Sequence, residues 1–338
     1  MSTRAWIAHV GSLRSTLALM ALLALAVFAG QVQERLGAPA LALAMALLSA
    51  NLLAALVVHP LLRRQLPLLV AHLALLALVL LAALGRLLSL DGRFELTEGV
   101  PFDGTLMDVR AGALHREDRL ARLSFSHQGF EIDYAPGRKR GATRNPVAWR
   151  DAEGRDHRAV IGDHRPLVID GYRFYTSPNK GFAPLFTWTP LRGEPVTGTV
   201  HLPAFPAHEL RQSIEWSLPD GRRAWVLLQT DETLIDPARA ASFRLPQRHT
   251  LVLRMDPLRH ELPPGQTVAL EGGTLTYHGL RRWMGYRVSH DPTLPWMLAA
   301  SLLAAFALAA HYVQRFFFPA PAPATSVRPR FAEGARHA

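Results

Sequence analysis

One histidine lies where an ionisable side chain is least expected. His72 occurs in the apolar run Leu-Leu-Val-Ala-His-Leu-Ala-Leu-Leu, and no other ionisable residue occurs between Arg64 and Arg86. A polar ring in a lipid environment must face protein, a water-filled cavity or a ligand. Neutral imidazole is a natural axial ligand of haem iron, so iron ligation is one hypothesis for His72. The alternative is a structural histidine bonded to a carbonyl or hydroxyl group on a neighbouring helix, and the residues alone leave both open.

The rest of the sequence offers little for catalysis or metal binding. With no cysteine among its 338 residues, the chain cannot provide a disulfide, a thiolate metal site or the CxxCH motif to which haem is attached. It has no GxSxG, HExxH or phosphate-cradling glycine motif. The net charge is +10, but no arginine cluster is interleaved with aromatic residues on a recognisable nucleic-acid-binding module. We therefore identify no catalytic residues and expect no nucleic-acid partner.

Four intervals without charged residues indicate the elements that must position His72. They contain 19, 27, 21 and 23 residues, and a hydrocarbon core needs ~20. We predict an integral membrane protein with four transmembrane α-helices, three N-terminal and one C-terminal. The predicted spans are 15–30, 39–58, 66–85 and 295–313, with Pro39, Pro67 and Pro295 suited to helix starts.

Arginine residues give these spans an orientation. Arg4 and Arg14 precede the first span, Arg63 and Arg64 separate the second from the third, and four arginines follow the fourth. Basic residues favour the cytoplasmic side, which predicts cytoplasmic termini in a multi-pass protein of the bacterial cytoplasmic (inner) membrane. A cleaved signal peptide is the alternative for residues 1–30, because a basic stretch there precedes an apolar one that ends in small residues.

Between the third and fourth spans, short apolar alternations broken by Gly, Pro, Asp and Asn predict a β-rich extracytoplasmic domain. About 200 residues suffice for one antiparallel sandwich or barrel-like domain. We expect turns at Asp170-Gly171 and Asp220-Gly221. The predicted domains are 1–86 with three spans, 87–291 in the periplasm, 292–314 as the fourth span, and 315–338 as a cytoplasmic Pro/Ala/Arg-rich tail. The predicted strands are 122–125, 129–134, 166–169, 172–176, 185–188, 224–229, 250–255, 274–278 and 286–289.

Several polar and aromatic residues lie close to the predicted membrane boundaries. Trp283, Trp296 and Tyr312 are interpreted as interfacial anchors. His59 and His311 lie nearer the interfaces than His72 does, so snorkelling or solvation explains them.

Several strings of the sequence, in their order and placement, carry a resemblance to a known family. The first is Ala71–Leu76 around His72, and the others are Gly92–Leu96 with Glu98-Gly99, Gly171–Tyr175, and Tyr286–Pro295 at the entrance to the fourth span. Together with the layout of the spans, they resemble the ResB (CcsB) family of system II cytochrome c biogenesis.

This resemblance implies a membrane subunit that, with a CcsA-type partner, helps to bind and translocate haem b transiently and deliver it to apocytochrome c. His72 matches the transmembrane histidine that is regarded in the family as one of two axial haem-iron ligands, the other coming from CcsA. The tryptophan-rich motif and periplasmic histidines of CcsA have no counterpart here, which implies a non-catalytic subunit of a cytochrome c haem lyase complex. The competing hypothesis is a membrane-anchored sensor or assembly scaffold with a ligand-binding β domain and no haem role.

Overall fold

The apolar segments of the chain form helices. The computed structural model describes residues 3–32, 34–208, 212–255 and 257–318. Four helices in those ranges are long and apolar enough to cross a membrane, namely α2, α3, α5 and α7, which confirms the four predicted apolar helices. The helices have the bounds α1 Thr3–Val10, α2 Leu13–Val32, α3 Glu34–Val58, α4 Pro60–Arg64, α5 Leu66–Leu88, α6 Glu117–Leu120 and α7 Leu294–Phe317.

The chain divides into two compact units, each described by itself below. The helical unit comprises Met1–Leu84 and Thr293–Ala338, and the β unit comprises Gly85–Pro292. The assignment of these segments to the membrane and the periplasm stays a prediction.

Within the helical unit, α2 packs against α3. The buried side-chain amide of one α3 residue bonds groups at and just before the start of α2. Asn51 of α3 is fully buried. Its side chain accepts a hydrogen bond from the Thr16 hydroxyl at 2.8 Å and donates one to the carbonyl of Val10. A buried polar group costs free energy unless it is hydrogen-bonded, so these two bonds fix the position of α3 against the connection between α1 and α2.

The same connection has a second tie to α3. A Cβ atom on Gly11 would lie 2.6 Å from the backbone nitrogen of Ala55, so only glycine permits this approach. His59 Nε2 donates a hydrogen bond to the Gly11 carbonyl at 3.0 Å. The exposure of His59 agrees with the expectation that its ring is solvated, and the bond to Gly11 is an additional contact that the sequence did not indicate.

Two helix boundaries also differ from those predicted. Helix α3 begins at Glu34, so Pro39 lies inside the helix and is not its first residue. Proline is tolerated inside membrane helices because neighbouring groups satisfy the freed backbone. Helix α7 continues to Phe317, beyond the predicted start of the tail at 315. The rest of the predicted tail, 319–338, lies outside the described residues.

The β unit contains three antiparallel sheets, which confirms the β-rich segment between the third and fourth apolar helices. The first sheet has seven strands in the order β2-β1-β16-β8-β7, with β15 on β16 and β9 on β8. The second has the order β10-β11-β13-β14, and the third has the order β12-β4-β5-β3 with β6 on β5. The strands are β1 Leu90–Thr97, β2 Asp108–Ala111, β3 Phe125–His127, β4 Glu131–Ala135, β5 Lys139–Arg150, β6 Asp156–Ile161, β7 Leu167–Ile169, β8 Tyr172–Pro190, β9 Val196–Thr199, β10 Ser213–Ser217, β11 Arg223–Gln229, β12 Ala241–Ser242, β13 Thr250–Met255, β14 Leu258–Leu262, β15 Thr267–Leu270 and β16 Gly273–His290.

Two long strands replace four short ones of the prediction. The predicted strands 172–176 and 185–188 are parts of β8, and 274–278 and 286–289 are parts of β16. The register of this pair shifts between Tyr277 and Gly279, and again between Met284 and Tyr286. Such β-bulges bend a strand without ending it, so the breaks in alternation that suggested separate strands mark bulges instead.

The predicted turns and most of the short strands lie close to the observed ones, unlike the long strands β8 and β16. Asp170 and Gly171 have positive φ angles of 49° and 83° between the paired residues Ile169 and Tyr172, as a two-residue hairpin turn requires. The Asp220-Gly221 turn joins β10 to β11, and β13 has the predicted bounds. The predicted strand 122–125 is wrong, because the chain turns there and β3 begins only at Phe125.

One hydrophobic core joins the three sheets, and buried polar groups cross it. The Tyr286 hydroxyl on β16 donates to Asn145 Oδ1 on β5 at 2.6 Å, and the Asn145 amide donates to the Gly129 carbonyl. Burial raises the pKa of Tyr286 well above its ordinary value, so the phenol stays protonated as a donor. The network therefore fixes the first sheet against the third.

Candidate functional site

The strongest candidate residue lies near the N-terminus of α5. This helix begins at Leu66, and Pro67 stands in its first turn, where a missing N–H costs nothing. His72 is half-buried, between the buried Ala71 and the exposed Leu73. His72 is therefore not fully enclosed by the described part of the chain.

One ring nitrogen of His72 is already used. Nδ1 lies 2.7 Å from the carbonyl oxygen of Leu68, one turn earlier on the same helix. A carbonyl oxygen only accepts, so Nδ1 carries the proton in this bond. In the neutral ring, Nε2 then carries the lone pair, and no hydrogen bond to Nε2 is found within the described residues. Metal-binding histidines show the same arrangement, because a bond at one nitrogen orients the other towards the metal.

The bond of His72 also bears on the structural alternative. A structural histidine was expected to bond a carbonyl or hydroxyl group of a neighbouring helix, whereas the partner here lies on α5 itself. The bond leaves an uncharged nitrogen donor available to a ligand. Among the described residues, no group of three or more His, Cys, Asp or Glu side chains is placed to hold a metal ion.

A second histidine cluster lies at the ends of β8 and β16. Tyr172 stacks on His290 with ring centroids 4.4 Å apart, and its hydroxyl lies 3.2 Å from His115 Nε2. His115 Nδ1 donates to the carbonyl of Leu88 at 3.0 Å. Burial lowers the pKa of His290, and the nearby His115 and Arg119 lower it further, so its ring is neutral at pH 7. The cluster ties the last residues of α5 to the first sheet.

A third histidine lies in a relay that sequence analysis did not detect. His201 Nδ1 lies 2.8 Å from Glu95 Oε2, and His201 Nε2 lies 2.8 Å from the Thr97 hydroxyl. This order resembles that of a nucleophile triad. However, Thr97 is buried and its hydroxyl also bonds Thr199, so no substrate carbonyl can approach it. We therefore assign the relay to strand positioning.

The same region corrects one aromatic assignment. Trp283 is only 3% exposed, its Nε1 donates to the carbonyl of Leu202 at 3.0 Å, and its ring stacks on His201. The interpretation of Trp283 as an interfacial anchor is therefore wrong. Its position before the fourth span suggested that role, but β16 carries it into the β unit.

Comparison with known proteins supports the resemblance noted in the sequence. The family model described as ResB-like matches residues 62–213. The matched segment contains His72 and three of the four quoted groups of strings, and it ends before Tyr286–Pro295. No curated protein matches the chain. The ResB-like family is associated with cytochrome c biogenesis. Over residues 62–213, the chain is therefore similar to the ResB-like family.

Proposed function

We propose that this protein is the haem-binding membrane subunit of a cytochrome c maturation complex, and that His72 supplies one axial ligand to haem iron. The observation that carries this proposal is the His72 ring, whose Nδ1 is fixed by Leu68 and whose Nε2 is free for a ligand. The family match supports a role in cytochrome c biogenesis, and the haem role is our inference.

The surroundings of His72 suit this chemistry. Helix α5 carries no other ionisable residue between Leu66 and Gly85. In a low-dielectric setting a neutral imidazole binds iron without the desolvation cost of a charged ligand. The apolar side chains around it would contact the porphyrin ring.

The proposal includes a partner. We infer that a CcsA-type membrane subunit supplies the second axial ligand, because among the described residues only His72 is proposed to bind the iron. The cysteine-free chain offers no thiol for the attachment reaction. We therefore assign covalent attachment to apocytochrome c to the partner, with the four apolar helices in the bacterial inner membrane and the β unit in the periplasm.

The test is haem retention by the purified complex. The His72→Ala variant should keep its fold, because the change removes one side chain and no backbone hydrogen bond. It should lose most of the copurified haem, and added imidazole should restore part of it by occupying the vacant iron position. His311→Ala on α7 is the matched control, since it removes a half-buried histidine from another apolar helix. Wild-type haem content in His72→Ala would refute the assignment.

A further inference from the structure

A large cavity in the β unit has no role in the function proposed above. Its volume is about 1000 Å³, and it lies on the seven-stranded sheet. Arg93 of β1 lines it and is exposed, whereas its neighbour Phe94 belongs to the hydrophobic core. Because successive side chains of a strand point to opposite faces, the cavity opens on the sheet face that points away from the core.

The shape of the cavity follows from the irregular pairing of β8 with β16. Residues Ser177, Pro178 and Asn179 bulge out opposite Gly285, where the register shifts. A Cβ atom on Gly285 would lie 2.5 Å from the Ser177 hydroxyl oxygen and 3.2 Å from the Asn179 carbonyl oxygen, so the two strands approach closely at this glycine. Bulges next to binding sites commonly redirect side chains and end regular pairing. The concave shape of the cavity therefore follows from the bulged pairing of β8 and β16.

Two arginines face each other at this cavity. Arg93 on β1 is the register partner of Arg287 on β16, and Tyr175 on β8 follows in the same row. Like charges directly opposite each other on a sheet destabilise it unless an anion lies between them. Arg287 is hydrogen-bonded to Asp91. The side chain of Arg93, in contrast, forms no ion pair or hydrogen bond with any residue in the described ranges.

Of the three acidic residues that line the cavity, two are already bonded to other side chains. The carboxylate of Glu95 bonds His201, and that of Asp163 bonds Arg140 at 2.5 Å. Asp108, the register partner of Arg93 on β2, is the remaining acid. It is exposed, so solvent screens its attraction to Arg93. One guanidinium group therefore remains available to an external anion.

An apolar surface completes the site. Met107, which lines the cavity beside Asp108, is 68% exposed. Methionine adapts its shape to apolar ligands and contacts aromatic rings favourably. Tyr175 and Pro178 line the same space. A ligand that fits these walls carries both an anionic group and an apolar body.

We propose that this cavity binds an amphipathic carboxylate, with Arg93 as its principal anion-binding residue and Met107 and Tyr175 against the apolar body. A guanidinium group holds a carboxylate through two parallel hydrogen bonds, which a neutral side chain cannot reproduce. The site is distinct from His72 and does not require iron.

Metal-free protoporphyrin IX is a suitable probe, because it carries two carboxylates and an apolar ring but has no iron for His72 to bind. Its binding to the full-length protein in nanodiscs is followed by fluorescence anisotropy, with empty nanodiscs subtracted. Arg93→Gln should weaken binding about tenfold or more, as the loss of a charge-assisted bond predicts. Asp108→Asn should retain or strengthen it. Arg223→Gln, an exposed arginine on β11, is the matched control and should have no effect.

Two further arms make the test decisive. Protoporphyrin dimethyl ester, which lacks the free carboxylates, should bind much more weakly than the acid. Dodecanoate, which is also an amphipathic carboxylate, should compete with the porphyrin, whereas dodecanol should not. Equal affinity of the ester and the acid, or of Arg93→Gln and wild type, would overturn the proposal. Loss of porphyrin binding in His72→Ala alone would also overturn it, while leaving the proposed function intact.

Discussion

The ion pair between Glu98 and Arg282 allows a quantitative prediction about the β unit. Arg282 donates to both carboxylate oxygens of Glu98, at 2.8 and 2.7 Å, and the two side chains are 23% and 27% exposed. Arg282 also donates to the carbonyl of Phe130. In Glu98→Gln the shape is kept, but the charge and one acceptor are lost. Arg282 is then left partly buried without a counter-ion.

The expected loss follows from the strength of hydrogen bonds to charged groups. These are worth about 1.5–3 kcal/mol each, and partial exposure screens part of that value, so we expect a loss of about 2 kcal/mol. For a unit of this size, Tm should fall by ~4–8 °C. The measurement is thermal unfolding of the full-length protein in detergent, followed by tryptophan fluorescence. Glu131→Gln, which breaks an exposed ion pair with Arg144, should change Tm by less than ~2 °C.

The pH dependence of this Tm difference provides a second test of the ion pair. Burial raises the pKa of Glu98, but the hydrogen bonds and charge of Arg282, with the charge of His127, outweigh it, so the pKa in the folded state is lowered. A lowered carboxyl pKa contributes stability above the pKa of the unfolded chain, and this contribution is lost as pH falls through the folded value. The Tm difference between wild type and Glu98→Gln should therefore be constant from pH 7 to about 5 and shrink below about 4.3. An unchanged Tm at pH 7, or a difference that persists at low pH, would refute this reasoning.

Three other predictions concern topology, the partner and the helical unit. Reporter fusions after Gly104 and after residue 319 should give opposite signals, because the arginine distribution places these sites on opposite sides of the membrane, and equal signals would exclude the four-span topology. Expressed without a partner in a host that lacks cytochrome c assembly proteins, the chain should attach no haem covalently to a co-expressed apocytochrome, and attachment would mean that the catalytic site lies in this chain. Asn51→Ala should lower the free energy of unfolding by about 1–3 kcal/mol, since the Val10 carbonyl loses its bond to the amide and the Thr16 hydroxyl keeps only the Ser12 carbonyl as a partner. An unchanged melting curve by circular dichroism would show that the amide is dispensable.

The sequence predicted the features that depend on composition and on local turn chemistry. Long uncharged intervals identified the four apolar helices, and Asp170-Gly171 identified a hairpin turn, because both signals are local. The lengths of β8 and β16 could not be predicted, because a β-bulge breaks the alternation of apolar and polar residues in the same way as the end of a strand does. The assignment of strands to three sheets depends on long-range pairing, which no local pattern specifies.

For the site, sequence analysis identified His72 but not the arrangement of its ring. The apolar surroundings made the histidine conspicuous, whereas the bond to Leu68 depends on a side-chain conformation. The interpretation of Trp283 as an interfacial anchor is wrong because its place in the sequence, before the fourth span, does not give its place in the fold. The bonds of His59 to Gly11 and of Trp283 to Leu202 connect segments that are distant in sequence, so no local pattern indicates them.

The central claim, that His72 binds haem iron, is tested most directly by changing the ligand atom. Because the chain contains no cysteine, His72→Cys introduces its only thiol. The complex should then show the red-shifted absorption of thiolate-ligated haem in its reduced carbon monoxide form, since axial-ligand identity determines the spectrum. A spectrum identical to that of the wild-type complex would contradict the assignment of His72 as an iron ligand.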